Sequence, residues 1–380
     1  MRLTRFFASG TLSSAVILLR AARVAARAQF PQFMDKKRIL ASVVVFFILA
    51  FLVYLQYRHW RTFDWGTFWS QTHRIKKIHV LHGIALIYIG YGMRAWRWKI
   101  FLKPVRPATR TIDMVSPTLV GFTGLALLGR AGEFIRPYLI ARRTDLPFSS
   151  QLAVWGVERI FDIGAFTVLM MLAIFLPSAL PSIPHPEYYR RFRELGFFLT
   201  AAVTVTTVAA VIIRRNGEAA AKWIEQRFSH LSSNLGHRLG ERVREFGMGL
   251  NTIHGPWSML WLTLVSVGMW YLIALAYQEV THSYGVDALA IPVSQLLILM
   301  FSSMLGSMLQ LPAVGGGSQM ATIATLSSVF DVSPELAASC GILLWLVTFA
   351  AVVPSGLILA HRERLSLRKL SVESHHRPET

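Results

Sequence analysis

Uninterrupted apolar runs of bilayer length constrain this chain more than any other feature. ILASVVVFFILAFLVYLQY (39–57) and LGFFLTAAVTVTTVAAVII (195–213) contain no charged residue. About 20 mainly apolar residues cross a bilayer core. With no water there, each segment must satisfy its own backbone groups, so such runs become helices. Overall, 53% of the residues are hydrophobic and 16% are charged, against about 25% charged in an average soluble domain. The pattern predicts an all-α polytopic membrane protein with full spans near 39–57, 78–98, 153–176, 195–213, 257–280 and 336–360.

Two further segments do not read as simple spans. The segment 113–142 is broken at Gly129-Arg130-Ala131-Gly132. Its second arm, 132–142, reaches only about 16 Å at 1.5 Å per residue, roughly half the hydrocarbon thickness. The segment 291–331 is broken at LPAVGGGSQ, where Gly315, Gly316 and Gly317 free the backbone to bend, and its second arm is also short. Both read as re-entrant helical hairpins, giving about eight membrane segments. Ser302 with Gly306, and Ser303 with Ser307, are small-residue pairs that permit close helix approach.

Net charge is +19. In a membrane protein its distribution sets the orientation, because cytoplasmic loops collect Lys and Arg. With the N-terminus inside, 26 Lys and Arg fall on cytoplasmic pieces and 8 on outer ones. Both termini are therefore expected in the cytoplasm of an inner-membrane protein. The first hairpin then enters from the cytoplasm and the second from outside, an inverted pair meeting near the midplane. The domain plan is a basic tail over 1–37, a transmembrane domain over 38–365 with a cytoplasmic helical loop at 214–256, and a C-terminal tail over 366–380. In the tail, Arg20, Arg23 and Arg27 share one helical face, which suits an interfacial amphipathic helix. MDKKRILASVVV from Met34 also makes a natural membrane-protein beginning.

The charged residues inside the apolar blocks carry the functional signal. Arg130, Glu133 and Arg136 lie at the first hairpin's break; Glu158, Arg159 and Asp162 lie near the head of the next span. One Arg or Asp at a helix centre costs about 2.5–3.5 kcal/mol unless it is paired or hydrated. The six formal charges cancel, which predicts one network between the hairpin and the 153–176 helix. Such a network either staples the two together or turns guanidiniums onto a phosphate, whose oxygens an Arg fork meets in pairs. The second hairpin contributes uncharged polar groups, Gln310 and Gln319.

Other polar residues read as structural. Arg94 and Arg97, in GMRAWRWK, are expected to snorkel beside Trp96 and Trp98 at the cytoplasmic interface. Trp257, Trp261, Trp270 and Tyr271 are expected as belt and packing residues, and Glu279 as solvated near the end of its span. His79 and His82 stand at i, i+3 with no third ligand apparent, so no metal site is assigned. The lone Cys340 forms no intrachain disulfide. No nucleotide-binding or hydrolase motif occurs, so no cofactor and no nucleic-acid partner are expected.

GRAGEFIRPYLIARR followed by VERIFDIGAF resembles the GE-x-x-R…ER-x-x-D pattern of the lysylphosphatidylglycerol synthase transmembrane family. QLPAVGGGSQMATIATLSSVF and the helices after it resemble that family's second signature. The resemblance implies a flippase-like domain, here without the soluble aminoacyl-transferase domain. It implies that Glu133, Arg136, Glu158, Arg159 and Asp162 belong to the substrate pathway. The chain departs in offering Gln319 and Trp345 where many members place Glu and Arg. The expected activity is movement of a phospholipid or another lipid phosphate, such as a polyprenyl or glycolipid phosphate, between leaflets, not catalysis. The alternatives are an integral-membrane lipid-modifying transferase and a partner for a lipid-pathway enzyme.

Overall fold

The computed structural model describes residues 63–175, 186–230, 232–250, 255–311 and 315–362. The basic tail, the span expected at 39–57 and the C-terminal tail lie outside the described residues.

Helix α1 (Trp65–His73) opens the described part. Asp64 caps it, its carboxylate accepting from the Thr67 hydroxyl at 2.6 Å and amide at 3.1 Å. These bonds hold the Asp64 carboxyl below its ordinary pKa. Helix α2 (Lys77–Leu102) then runs for 26 residues. The chain next forms α3 (Thr111–Leu128), a 3-10 turn over Gly129–Phe134, and α4 (Ile135–Thr144).

By length and composition Thr111–Thr144 would pass as one apolar span, yet it doubles back. A Cβ added to Gly121 would collide with the Cα and Cβ of Arg136, and one added to Gly132 would collide with the Gly124 backbone. In a straight helix Gly121 and Arg136 would stand about 22 Å apart. Gly129 makes the reversal possible, with φ 64 at the end of α3, a left-handed value that glycine reaches without strain.

Helix α5 (Phe148–Phe175) crosses the bundle in 28 residues. Helix α6 (Pro186–Ser229) carries a highly apolar stretch from Gly196 and kinks at Asn216. It begins before Gly196, so part of the loop expected at 177–194 is helical. Phe198 and Val205 on it are 69% and 68% exposed, an outward apolar surface that suits lipid rather than water. Helix α7 (Ser233–Leu250) folds back onto the end of α6, where Arg244 bridges Glu218 and Glu225. The two helices expected within 214–256 are thus present, the first continuous with the preceding span.

Helix α8 (Gly255–His282) lies antiparallel to α2. Gly83 faces Ala276 and Val280 at one end, and Arg97 meets Ser266 further along. The second hairpin follows: α9 (Val293–Gly306), a 3-10 turn, a two-residue antiparallel ladder of β1 (Gln310–Leu311) with β2 (Gly315–Gly316), and α10 (Gly317–Val329). Its arms pack so closely that a Cβ on Gly306 would strike the Gly317 carbonyl. Gly316, at φ 88, turns the chain into α10. At 14 and 13 residues, the arms span about 20 Å each, short of the roughly 30 Å of hydrocarbon. Helices α11 (Pro334–Thr348) and α12 (Val353–Arg362), joined by a 3-10 turn, close the described chain.

The two hairpins start from opposite ends of the bundle. Arg106, just past α2, donates to the Asp145 carbonyl beyond the first hairpin at 3.3 Å. At the other end, the Lys76 amide donates to the Ser283 carbonyl at 2.8 Å, and Tyr284 shares a 2.8 Å hydrogen bond with Ser339, early in α11. The tips meet between them, where Arg130 donates to the Ser307 carbonyl at 3.4 Å.

Candidate functional site

Apolar packing divides at one level of the bundle. One cluster gathers Trp98, Phe101, Met114, Ile140, Val157 and Leu262. A larger one gathers Ile87, Tyr91, Phe166, Tyr277, Leu299 and Leu344. On α2, α5 and α8 the break between them falls at Arg94–Arg97, Glu158–Asp162 and Ser266–Trp270. The charged side chains form a layer there. Asp162 stands about 21 Å along α5, far from either end.

Arg97 is the centre of that layer and is 0% exposed. It donates to Asp162 at 2.6 Å, to Ser266 at 2.8 Å and to Glu158 at 2.5 Å. Arg136 forks both nitrogens onto Glu158 and packs over the Trp98 and Phe122 rings. Trp98 donates to Glu158 at 3.2 Å and Trp270 to Asp162 at 3.3 Å. Arg159 lies 3.4 Å from Asp162 and 3.7 Å from Glu158, its guanidinium above the Trp155 ring. Arg94 lies 3.6 Å from Asp162 and over Phe122.

These contacts correct two expectations. Arg94 and Arg97 do not snorkel to an interface, since both are buried deep within α2. The two-residue offset of Trp98 from Trp96 separates their fates: Trp96 is 38% exposed beside Trp261, whereas Trp98 is fully enclosed. Trp270 likewise faces inward. The charges also do not cancel. Arg94, Arg97, Arg136 and Arg159 surround only Glu158 and Asp162, while Arg130 and Glu133 pair separately at the hairpin tip, 3.6 Å apart. The inner group carries two positive charges in excess.

Next to this layer lies a cavity of about 500 Å³. Residues from α2, α3, α5, α8, α9 and both hairpin tips line it. Its wall is mainly aromatic and aliphatic, with Tyr91, Phe122, Phe166, Tyr277 and Met304 prominent, and its polar part is Arg94, Arg130, Glu133, Arg159 and Asp162. Arg136 and Glu158 sit behind that wall. Arg94 is 8% exposed, and its Nη1 has no hydrogen-bond partner; neither do Arg159 Nε and Asp162 Oδ2. Arg94 Nη1 and Asp162 Oδ2 face each other at 3.6 Å as an ion pair without a hydrogen bond. Buried polar atoms are normally satisfied, and guanidiniums that hold their carboxylate this loosely at the edge of a hollow suit a polar ligand.

The second hairpin contributes differently. The Gln319 side chain accepts the Gly316 amide at 2.8 Å, securing the start of α10. Gln310 pairs through its backbone with Gly316. Gln319 lies beside Trp345, whose buried indole N–H has no partner. Spacing arguments missed Arg94 and Arg97; a signal was present in their interruption of an otherwise apolar helix at i, i+3.

Long apolar helices around a buried ionic layer, with outward surfaces fit for lipid, define a multi-pass membrane protein. A family model described as Lysylphosphatidylglycerol synthase TM region matches residues 38–356, and the chain belongs to that family. Searches of curated proteins and of solved structures return no match.

Proposed function

We propose that this protein moves a lipid phosphate between the leaflets of the membrane. The supporting observation is the 500 Å³ cavity on whose wall three guanidiniums, Arg94, Arg130 and Arg159, outnumber two carboxylates, Glu133 and Asp162. In this reading the phosphate accepts from the guanidiniums of Arg94 and Arg159, which make only long ion pairs to Asp162 and no hydrogen bond to it. A charge-assisted pair of this kind favours phosphate over a neutral headgroup. Arg97, Arg136 and Glu158 hold the wall in place behind it. The aliphatic and aromatic lining accepts the glycerol or first isoprenoid carbons, and the rest of the chain stays in the bilayer.

The hairpins act as re-entrant segments from opposite faces, their tips meeting at Arg130 and Ser307. The termini and the helical loop lie in the cytoplasm. Transport is favoured over catalysis because Asp162 is held by Arg97 and Trp270 and is poorly placed to shuttle a proton, which leaves Glu133 as the cavity carboxylate that catalysis would need.

The test is leaflet exchange of fluorescent phospholipids and a polyprenyl phosphate in liposomes carrying the purified protein. Exchange faster than in empty vesicles, lost in the Arg94→Gln/Arg159→Gln double variant, supports the reading. No exchange of any lipid phosphate sinks it. Chemical turnover of the lipid, abolished by Glu133→Gln, would instead make the protein a transferase.

A further inference from the structure

His79 and His82 stand in the first turns of α2, and Glu279 stands near the end of α8. Gly83, one residue beyond His82, lets α8 approach: a Cβ there would already lie 3.3 Å from the Val280 side chain and 3.4 Å from the Ala276 carbonyl. This approach brings Glu279 up to both imidazoles. Glu279 Oε2 is 2.7 Å from His79 Nδ1 and 3.6 Å from His82 Nδ1. One ligand atom from each residue lies within 4.8 Å of the other two.

We propose that His79, His82 and Glu279 bind a divalent transition metal, with Zn²⁺ the best match. A hydrogen bond explains the His79 contact but not His82, whose nitrogen is too far from the carboxylate to share a proton with it. Three donors on two helices converging on one point is what a cation needs. Tetrahedral Zn²⁺, with bonds of about 2.0–2.2 Å, sets its donors roughly 3.3 Å apart. The 2.7 and 3.6 Å separations from Glu279 bracket that spacing, and the third, between the two imidazoles, is within 4.8 Å, so the site would close on an ion by rotation of the rings and the carboxylate.

Two imidazole nitrogens and one carboxylate oxygen suit zinc and its neighbours, whereas Mg²⁺ and Ca²⁺ prefer all-oxygen shells. The side chains are 33%, 57% and 31% exposed, so an aqueous ion reaches them and water completes the shell. The ion would clamp α2 to α8 at the end opposite Arg97, and both helices line the cavity.

The experiment uses the full chain in detergent, with any affinity tag removed and metal stripped by chelator. Zn²⁺ is titrated calorimetrically, and bound metal is counted after desalting. The tail pair His375 and His376 is a possible background site, so His375→Ala/His376→Ala serves as the reference. The expected result is one equivalent of Zn²⁺ in the reference, undisturbed by millimolar Mg²⁺. Adding His82→Ala or Glu279→Gln should abolish it. Zn²⁺ should raise the melting temperature of the reference and leave that of its His82→Ala derivative unchanged. His82 is largely exposed and makes no hydrogen bond to Glu279, so its removal should leave the fold intact, as monodisperse elution would show. No stoichiometric binding in the reference, or binding retained after His82→Ala, overturns the proposal.

Discussion

Arg97 and Glu158 meet at 2.5 Å with neither side chain exposed. Glu158 also accepts from Arg136 and Trp98, so one carboxylate ties α2, α4 and α5 together. Desolvating such ions costs several kcal/mol each, and that cost is offset only where every partner is present. These enclosed hydrogen bonds thus support the wall of the cavity and make it sensitive to the loss of Arg97, Arg136 or Trp98.

Arg97→Met should destabilise the protein by about 3–5 kcal/mol, because Glu158 and Asp162 lose their shared donor while still buried. Arg97→Lys should fall between, since one ammonium replaces a fork that reaches three acceptors. Thermal unfolding in detergent measures both. A melting temperature for Arg97→Met equal to that of the parent would show that the layer is not held this way.

The arginines should separate into two groups. Arg94→Gln and Arg159→Gln, which break long ion pairs but no hydrogen bond, should lose less stability than Arg136→Gln yet bind lipid phosphate roughly 10–100-fold more weakly, from about 1.5–3 kcal/mol per charged hydrogen bond. Arg136→Gln should instead lower stability, because its partner Glu158 is enclosed. Native mass spectrometry with added phospholipid, beside melting curves, reads out both effects. Equal stability losses at all three positions would argue that Arg94 and Arg159 merely brace the wall.

The first hairpin depends on backbone contact at Gly132. Gly132→Ala should cost about 1–3 kcal/mol or prevent folding, since its Cβ would meet the main chain of Gly124 rather than a movable side chain. Gly90→Ala is the matched control: nothing lies within 4 Å of its added Cβ, and helix propensity favours the change by about 0.5–1 kcal/mol. Yields and melting temperatures of the two variants should diverge accordingly.

Orientation is testable with cysteines, because Cys340 is the chain's single cysteine and is 0% exposed. In intact cells a membrane-impermeant maleimide should label Asp287→Cys directly and Arg106→Cys only after permeabilisation. The reverse pattern would invert the topology drawn from loop charge.

Sequence alone determined the class. Apolar runs of bilayer length leave the backbone no alternative to helix, so the helices near 78–98, 153–176, 195–213, 257–280 and 336–360 were legible, and those from Gly196, Trp257 and Pro334 are long and apolar enough to cross a membrane. Both breaks were legible too, because Gly129 and Gly316 mark chain reversals and the arms beyond them are short. Motif resemblance assigned the family, which the match over 38–356 bears out.

Only the tertiary structure decided which charges meet. Arg97 reads as interfacial because hydropathy sees its distance from a helix end, whereas its burial depends on α5 and α8 bringing Asp162, Glu158 and Ser266 to it across 65, 61 and 169 residues of sequence. Glu279 is partly solvated, as its place near the end of a span implies, but only the packed bundle brings it, 200 residues away along the chain, within 2.7 Å of His79. Helix periodicity fixes which residues share a face on one segment. Which faces then oppose each other is set by close approaches such as Gly83 to Val280 and Gly121 to Arg136, and those exist only in the packed bundle.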